Sequence, residues 1–255
     1  APPGACDNSC VSTTQARSGA TMISNELQLE PWRARLRAHG RVQIPGFLQE
    51  EAAERLHQCL RDEVPWEIAQ RTGAELPPGL PREAAPGSED DARLLQAATA
   101  RARDGFEFYF DRYRMIDARR EGRDPQLVLH AVVDFLNSPE FIAFARQLTG
   151  DAEIRMTSAI AVRYRHGHFL RSHSDHASDE DRAFAYVVNL SHGWRPDWGG
   201  LLHFLDPTES RVIDTFTPLW NSLSLFRVPQ PHEVSLVAPW ADCPRYSITG
   251  WLRRG

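Results

Sequence analysis

The chain has 255 residues, of which 42% are hydrophobic and 25% are charged. These proportions are typical of a globular protein, and they exclude disordered and collagen-like chains. A net charge of −5 gives no electrostatic reason to expect binding to nucleic acid or to an anionic membrane. All 29 basic residues are arginines, which excludes Schiff-base chemistry on lysine and the lysine-containing P-loop.

Cysteine usage and hydropathy indicate the compartment. Cys6, Cys10, Cys59 and Cys243 are too few for a disulfide scaffold, and no second close pair accompanies Cys6 and Cys10 to make a zinc site. No apolar run approaches the roughly 18 residues of a membrane span, and no signal-peptide pattern opens the chain. We therefore expect a cytoplasmic protein.

The first 21 residues differ in composition from the rest of the chain. Residues 1–21 are rich in Ser, Thr, Gly and Ala and have no periodicity, so we expect a flexible tail. A single domain over residues 22–255 is predicted to follow it.

The half from residue 22 to residue 150 is predicted to be mainly helical. One strand over residues 41–48 and a Pro-rich, acidic loop over residues 75–91 interrupt it. A loop of that length is typical of a lid or of disorder. The apolar spacing predicts helices over residues 25–39, 50–63, 92–103, 125–136 and 139–150.

The half after residue 150 carries short β-rich runs separated by Gly, Pro, Asp or Asn. The runs cover residues 154–164, 184–190, 201–205, 211–216, 222–228, 232–237 and 246–252. That many strands in roughly 100 residues favour a sandwich or an open barrel. We therefore predict an α+β fold in which a helical layer, residues 22–150, supports a β-barrel, residues 151–255.

Candidate metal ligands come from the histidine-rich second half. His173 and Asp175 are two residues apart, so on a strand they would share a face and could bind one ion. His232 stands at the start of a later strand. Two imidazoles and one carboxylate suit Fe(II) and leave coordination positions open. Beyond them, Arg245 and Ser247 share a face of the last strand, where an arginine could bind a carboxylate.

A second histidine pair, His166 and His168, could indicate a cupin. No Glu follows at the spacing that a cupin uses, and a turn between strands is the better interpretation. We expect His176, His192 and His203 to be solvent or wall residues. The aromatic residues between 106 and 113 are interpreted as an interface between helices and barrel.

The order of these motifs resembles that of the 2-oxoglutarate- and Fe(II)-dependent oxygenases, in their prolyl-hydroxylase-like branch. The run over residues 171–252 is most similar to the catalytic domain of ribosomal-protein prolyl hydroxylases. The resemblance implies a double-stranded β-helix, the jelly-roll or cupin-like barrel. The residues that carry it are Tyr164, His173, Asp175, Arg182, Asn189, Trp198, Gly199, Gly200, Phe204, His232, Glu233, Val234, Arg245, Ser247, Gly250 and Trp251.

The resemblance also implies roles for individual residues. His173, Asp175 and His232 would hold Fe(II), and Arg245, with Ser247 or Tyr164, would bind the distal carboxylate of 2-oxoglutarate. Ascorbate would serve as a reductant. Related halogenases lack the carboxylate ligand, so Asp175 favours hydroxylation.

The implied reaction is hydroxylation of a prolyl residue or a proline-like substrate, with decarboxylation of 2-oxoglutarate to succinate. A protein or peptide is the expected substrate, and Trp251 would line its cleft. Two departures from the family stand out: the chain is too short for the second barrel of the eukaryotic enzymes, and His176 stands where an acid is expected.

Three alternatives stay open at this point. The same chemistry could act on a free amino acid or a peptide natural product. A non-catalytic binding module could keep the fold, although such modules usually lose ligands and none is missing here. A zinc-dependent cupin-like hydrolase or isomerase would give Arg245 and Ser247 no evident task. The sequence does not determine the oligomeric state.

Overall fold

A computed structural model describes residues 22–175 and 181–255. The tail predicted over residues 1–21 and the residue His176 lie outside the described parts. None of the helices within those parts combines the length and the apolar character needed to cross a bilayer.

Six α-helices form in the described residues, and three of them end at a glycine in the left-handed conformation, namely Gly40, Gly122 and Gly150. The helix that Gly150 follows also has a capped start, where the hydroxyl of Ser138 accepts a hydrogen bond from the backbone of Phe141. The helices are α1 (Leu29–His39), α2 (Glu50–Asp62), α3 (Glu89–Arg101), α4 (Met115–Glu121), α5 (Leu129–Leu136) and α6 (Pro139–Thr149).

Twelve strands within the described residues pair into one sheet. They are β1 (Arg41–Pro45), β2 (Glu67–Gln70), β3 (Phe108–Tyr113), β4 (Met156–Thr157), β5 (Ile160–Tyr164), β6 (Phe169–His173), β7 (Arg182–Asn189), β8 (Leu202–Leu205), β9 (Val212–Phe216), β10 (Ser222–Arg227), β11 (His232–Val234) and β12 (Arg245–Arg253). All the pairings among these strands are antiparallel.

The sheet curls into a nearly closed barrel, which confirms the predicted double-stranded β-helix. The strand order is β1-β10-β7-β12-β5-β3-β6-β11-β8-β9, with β2 on β3 and β4 on β12. Side chains of β1 close the gap between the two ends: Arg41 donates to Asp214 of β9 over 2.7 Å, and Gln43 donates to the Thr217 carbonyl over 2.8 Å.

The helices cover the outer face of the barrel on one side. The largest apolar cluster joins α1, α2, α5 and α6 to outward residues of β1, β7, β10 and β12, among them Val42, Tyr186, Leu225 and Ile248. Because side chains alternate along a strand, the neighbouring residues on the same strands point into the barrel, where the cavity described below lies.

Some predicted elements differ from the structure. The aromatic stretch interpreted as an interface is the barrel strand β3, and β2 and β6 were not predicted as strands. Helix α3 begins at Glu89 rather than at residue 92, because Ser88 caps it by accepting a hydrogen bond from Asp91, whose carboxylate reaches back to Gly87. The loop predicted over residues 75–91 therefore ends at this cap.

Candidate metal centre and anion pocket

Three potential metal ligands lie close together beside two paired strands of the barrel. His173 is the last residue of β6 and His232 the first of β11, and they lie directly opposite in the strand register. Asp175 follows two residues after β6. Its carboxylate oxygens lie 3.3 Å from Nε2 of His173 and 3.5 Å from Nε2 of His232, and the donor atoms of all three residues lie within 4.8 Å of one another.

The carboxylate reaches this position by a route that the sequence pattern did not predict. The shared-face argument required His173 and Asp175 to lie on one strand, but β6 ends at His173 and Asp175 has a φ of 58°. A left-handed backbone is uncommon for a residue with a side chain, although Asp tolerates it better than most. The turn, not strand alternation, therefore points the carboxylate toward the two imidazoles.

Hydrogen bonds to the backbone fix the orientation of both imidazole rings. Nδ1 of His173 donates to the Arg171 carbonyl over 3.0 Å, and Nδ1 of His232 donates to the Gln230 carbonyl over 2.7 Å. A carbonyl can only accept, so each Nδ1 carries a hydrogen, and Nε2 is the nitrogen left to present a lone pair to a metal. Such a second hydrogen bond is typical of histidines that bind metals.

The protonation states agree with a cation site. Burial, together with the neighbouring His173, lowers the pKa of His232 to about 4, so that its imidazole is neutral at pH 7. Burial opposes ionisation of Asp175, but its interactions with His173 and His232 outweigh burial and hold the pKa of the carboxyl below its ordinary value. Three potential electron-pair donors that face one another could hold a cation between them, and this donor set fits Fe(II).

The triad opens into a cavity inside the barrel. The cavity has a volume of about 250 Å3 and a mainly apolar wall, with residues from β5, β7, β11 and β12. Its polar lining includes the three ligand residues together with Arg182, Arg245, Ser247 and Tyr164.

Arg245 is a buried cation without a carboxylate partner within the described residues. Its side chain is 2% exposed, and its two terminal nitrogens donate to the Gly200 carbonyl over 2.9 Å and to Asn189 over 3.4 Å. Nε has no hydrogen-bond partner among the described residues. Burial lowers the pKa of Arg245 below that of a free arginine, as expected for a buried charge without an ionic partner. An anion bound in the cavity would supply the compensating negative charge.

The glycine pair Gly199 and Gly200 makes the first of these contacts possible. Both residues have a positive φ, and a Cβ on Gly199 would lie 1.9 Å from the carbonyl oxygen of Leu236. No side chain fits there, so the turn comes close enough for Gly200 to accept from Arg245.

Tyr164 and Ser247 stand beside the arginine, as the resemblance implies. The guanidinium of Arg245 lies 5.3 Å from the centre of the Tyr164 ring, and burial raises the pKa of this tyrosine, so that its hydroxyl stays a donor. Ser247 lies two residues after Arg245 on β12 and also lines the cavity. Arg245, Tyr164 and Ser247 are thus neighbours in the sheet and line one part of the cavity, called the anion end below.

Trp251 and Arg182 form another part of the wall. The guanidinium of Arg182 stacks 3.8 Å from the centre of the Trp251 ring, and its terminal nitrogen donates to the Asp175 carbonyl over 3.3 Å. This contact ties the metal-ligand turn to β12.

The other histidines lie elsewhere. His166 belongs to the turn between β5 and β6, as predicted, and His192 is exposed and stacks on Trp220 at 3.5 Å. His203 pairs with Glu233 over 3.1 Å. None of these three lines the cavity.

A row of three phenylalanines was not predicted as part of the site. Phe106 contacts the ring of His173, with 5.6 Å between ring centres, and Phe110 lines the cavity. Their spacing of two residues, with Phe108 between them, is the period of a strand and could have indicated a shared face.

Comparisons with known proteins agree with this architecture. Residues 159–253 match the family model of the 2OG-Fe(II) oxygenase superfamily, a range that contains the triad, Arg245, Ser247 and Tyr164. The pattern of that superfamily is therefore present in the barrel half of the chain.

Two solved structures are similar over nearly the whole chain. An oxidoreductase of the 2OG-Fe(II) oxygenase family from Burkholderia pseudomallei has 19% sequence identity and a TM-score of 0.59, with 93% of this chain and 97% of that chain covered. A prolyl-4-hydroxylase from Pseudomonas putida has 19% identity and a TM-score of 0.53, with the same coverage. At 19% sequence identity, these similarities show the fold alone. No curated protein matches the sequence.

Proposed function

We propose that the protein is an Fe(II)- and 2-oxoglutarate-dependent dioxygenase that hydroxylates a prolyl residue in a protein or peptide. One observation carries the proposal: a triad of two imidazoles and a carboxylate shares a small cavity with a buried arginine that has no carboxylate partner within the described residues. A metal and a dicarboxylate satisfy both needs at once.

Each residue has a definite task in this proposal. His173, Asp175 and His232 hold the iron, and the hydrogen bonds of both Nδ1 atoms keep the lone pairs directed at it. Arg245 binds the distal carboxylate of 2-oxoglutarate, with hydrogen bonds from Tyr164 and Ser247. The apolar wall excludes water from the reacting groups. With dioxygen as the oxidant, bound iron and 2-oxoglutarate would supply the oxidation: one oxygen atom goes to succinate, the other to the hydroxylated substrate, and carbon dioxide is released.

Prolyl specificity is the finer part of the proposal. It is supported by the sequence resemblance to prolyl hydroxylases, of which the ribosomal-protein branch is the most similar. We assign Trp251 to the substrate cleft because it lines the cavity beside Asp175. The same chemistry on a free amino acid or a peptide natural product is the second candidate. Ascorbate as reductant and a cytoplasmic location stay predictions from the sequence.

An anaerobic titration tests the core of the proposal. Fe(II) and 2-oxoglutarate are added to the apo-protein while the visible metal-to-ligand charge-transfer band is recorded. The band should require both additions and should be absent in His232→Ala. In Arg245→Ala the half-saturating concentration of 2-oxoglutarate should rise by a factor of about 10–100, since a charged hydrogen-bonded pair contributes roughly 1.5–3 kcal/mol.

Matched variants outside the cavity serve as controls. His192→Ala and Arg195→Ala remove the same residue types from exposed positions and should leave the band and its midpoint unchanged. A folded wild-type protein that binds Fe(II) without developing the band would exclude the oxygenase. A site that instead retains zinc through purification would favour the hydrolase alternative.

A further inference from the structure

Three phenylalanine rings form a continuous row from the candidate metal centre to the anion end of the cavity. Phe106, Phe108 and Phe110 occupy alternate positions at and before β3, and their consecutive ring centres are 5.8 Å and 5.5 Å apart. The row ends on the ring of His173 at one side, 5.6 Å from Phe106, and on the ring of Tyr164 at the other, 5.2 Å from Phe110. These spacings are those of aromatic rings in contact.

Exposure increases along the row toward the metal centre. Phe110 is 9% exposed, Phe108 is partly buried, and Phe106 is 44% exposed. This exposure leaves apolar surface in water. Phe106 is connected through Phe108 to Phe110, which lines the cavity, so the row provides a surface for an apolar ligand group.

Polar contacts hold the backbone on both sides of Phe106. The guanidinium of Arg171 donates to the carbonyls of Ala102 and Gly105, the latter over 2.8 Å. The backbone N–H of Arg171 donates to the Glu107 carbonyl over 3.0 Å, and the fully buried carboxylate of Glu107 accepts from Arg101 over 2.7 Å. The exposed ring is therefore presented by a fixed backbone, which lowers the entropy that a ligand loses on binding it.

We propose that Phe106 is a specificity-determining residue of the proposed hydroxylase, and that with Phe108 it forms the surface on which the proline-containing peptide substrate packs. Aromatic-lined surfaces bind proline-rich segments because the extended, preformed peptide presents its rings to them at little entropic cost. Because Phe106 contacts His173, a proline ring packed on Phe106 would lie next to the proposed metal ligands. This inference rests on the proposed function, since it requires the substrate to approach the iron.

Peptide binding to the anaerobic complex with Fe(II) and 2-oxoglutarate tests the proposal without turnover. The probes are a blocked peptide with three prolines separated by alanines and a counterpart in which alanine replaces each proline. Wild-type protein should bind the proline peptide more tightly. Phe106→Ala should weaken that binding about tenfold, as expected for loss of an aromatic contact at an interface. Phe106→Tyr should stay within about threefold of wild type, because the ring is kept.

Leu219→Ala is the matched control, since Leu219 has the same exposure of 44% and takes no part in the row. It should bind the proline peptide as wild type does. The charge-transfer band of each variant is recorded first, so that loss of peptide binding is not confused with loss of the metal site.

Two results would overturn the inference while leaving the oxygenase intact. One is an unchanged affinity of Phe106→Ala for the proline peptide in a protein that develops the band. The other is a wild-type complex that develops the band and does not prefer the proline peptide to the alanine peptide. Absence of the band in wild type is a different result, because it contradicts the proposed function itself.

Discussion

His168 illustrates how a single buried side chain couples this fold to pH. It is fully buried, its ring contacts the edge of Tyr109 at 5.4 Å, and neither ring nitrogen has a hydrogen-bond partner among the described residues. Burial lowers the pKa of His168 from 6.5 to about 4. The folded protein therefore holds this imidazole neutral where the unfolded chain would protonate it.

The pH dependence follows from the sign of that shift. Well above pH 6.5 the imidazole is neutral in both the folded and the unfolded protein, and His168 adds no pH dependence. Between pH 6.5 and about 4 only the unfolded protein binds the extra proton. The free energy of unfolding therefore falls as the pH falls through this range. The shift corresponds to a loss of roughly 3 kcal/mol by pH 4. In His168→Leu this part of the loss should disappear, as measured by urea unfolding at pH 7 and pH 4.5.

Exposed His39 provides the control, since His39→Leu should keep the acid sensitivity of wild type. If His168→Leu lost as much stability as wild type between the two pH values, the buried imidazole would not be the group that responds.

At the scale of residues, the sequence predicted which side chains form the site better than it predicted how they are oriented. Spacing and family resemblance together indicated His173, Asp175, His232 and Arg245, and the structure brings all four to one cavity. The turn that orients Asp175 was not predictable from spacing, because an Asp in the left-handed region depends on the surrounding backbone. Likewise, only the folded structure shows that Arg245 lacks a carboxylate partner among the described residues.

At the scale of elements, Arg165 fastens helix α3 to the barrel. Its guanidinium donates to Asp91 on α3 over 2.6 Å and to Asp111 on β3 over 2.7 Å. Both carboxylates are almost fully buried, and Tyr109 donates a further hydrogen bond to Asp91. The segment that presents Phe106 follows directly after this helix.

Removal of this guanidinium should loosen α3 selectively. Arg165→Ala leaves two buried carboxylates short of a partner, and breaking such a pair costs roughly 3–5 kcal/mol. Hydrogen exchange followed by mass spectrometry should show the largest increase in α3, residues 89–101, with smaller changes in β7 and β12. The exposed pair of Arg155 and Glu153 offers a control, because Arg155→Ala should alter stability by less than about 0.5 kcal/mol. An equal increase throughout the barrel would contradict a local role.

Strands delimited by flanking turn residues were predictable, whereas β3 was not. Strands β7, β10 and β12 came close to their predicted bounds, since β-branched residues and flanking turns delimit them. In β3 the dense aromatic run was interpreted as an interface, although the two-residue spacing of its phenylalanines is the period of a strand. The Ser88-Asp91 cap of α3, by contrast, was present in the sequence as a recognisable helix start.

For the whole molecule, the proposed metal and cosubstrate sites lie between strands that are distant in the chain. β6, the turn after it and β11 supply the triad, and β12 supplies Arg245 from the middle of the sheet. The cavity can form only when the barrel is closed, so ligands that bind there bind the folded state and not the unfolded chain. Closure in turn depends on the contacts of Arg41 and Gln43 across the last gap.

The melting temperature should therefore rise in two steps, first with the metal and then with 2-oxoglutarate. A ligand at 100 times its Kd adds about 2.7 kcal/mol to stability, which for a chain of this size corresponds to a rise of roughly 5–10 °C. Mn(II), which takes the same donors and resists oxidation, should raise Tm alone, and 2-oxoglutarate should add a second rise only when metal is present. His232→Ala should lose both rises and Arg245→Ala only the second. A rise with 2-oxoglutarate in the absence of metal would show that the dicarboxylate binds elsewhere than between the triad and the arginine.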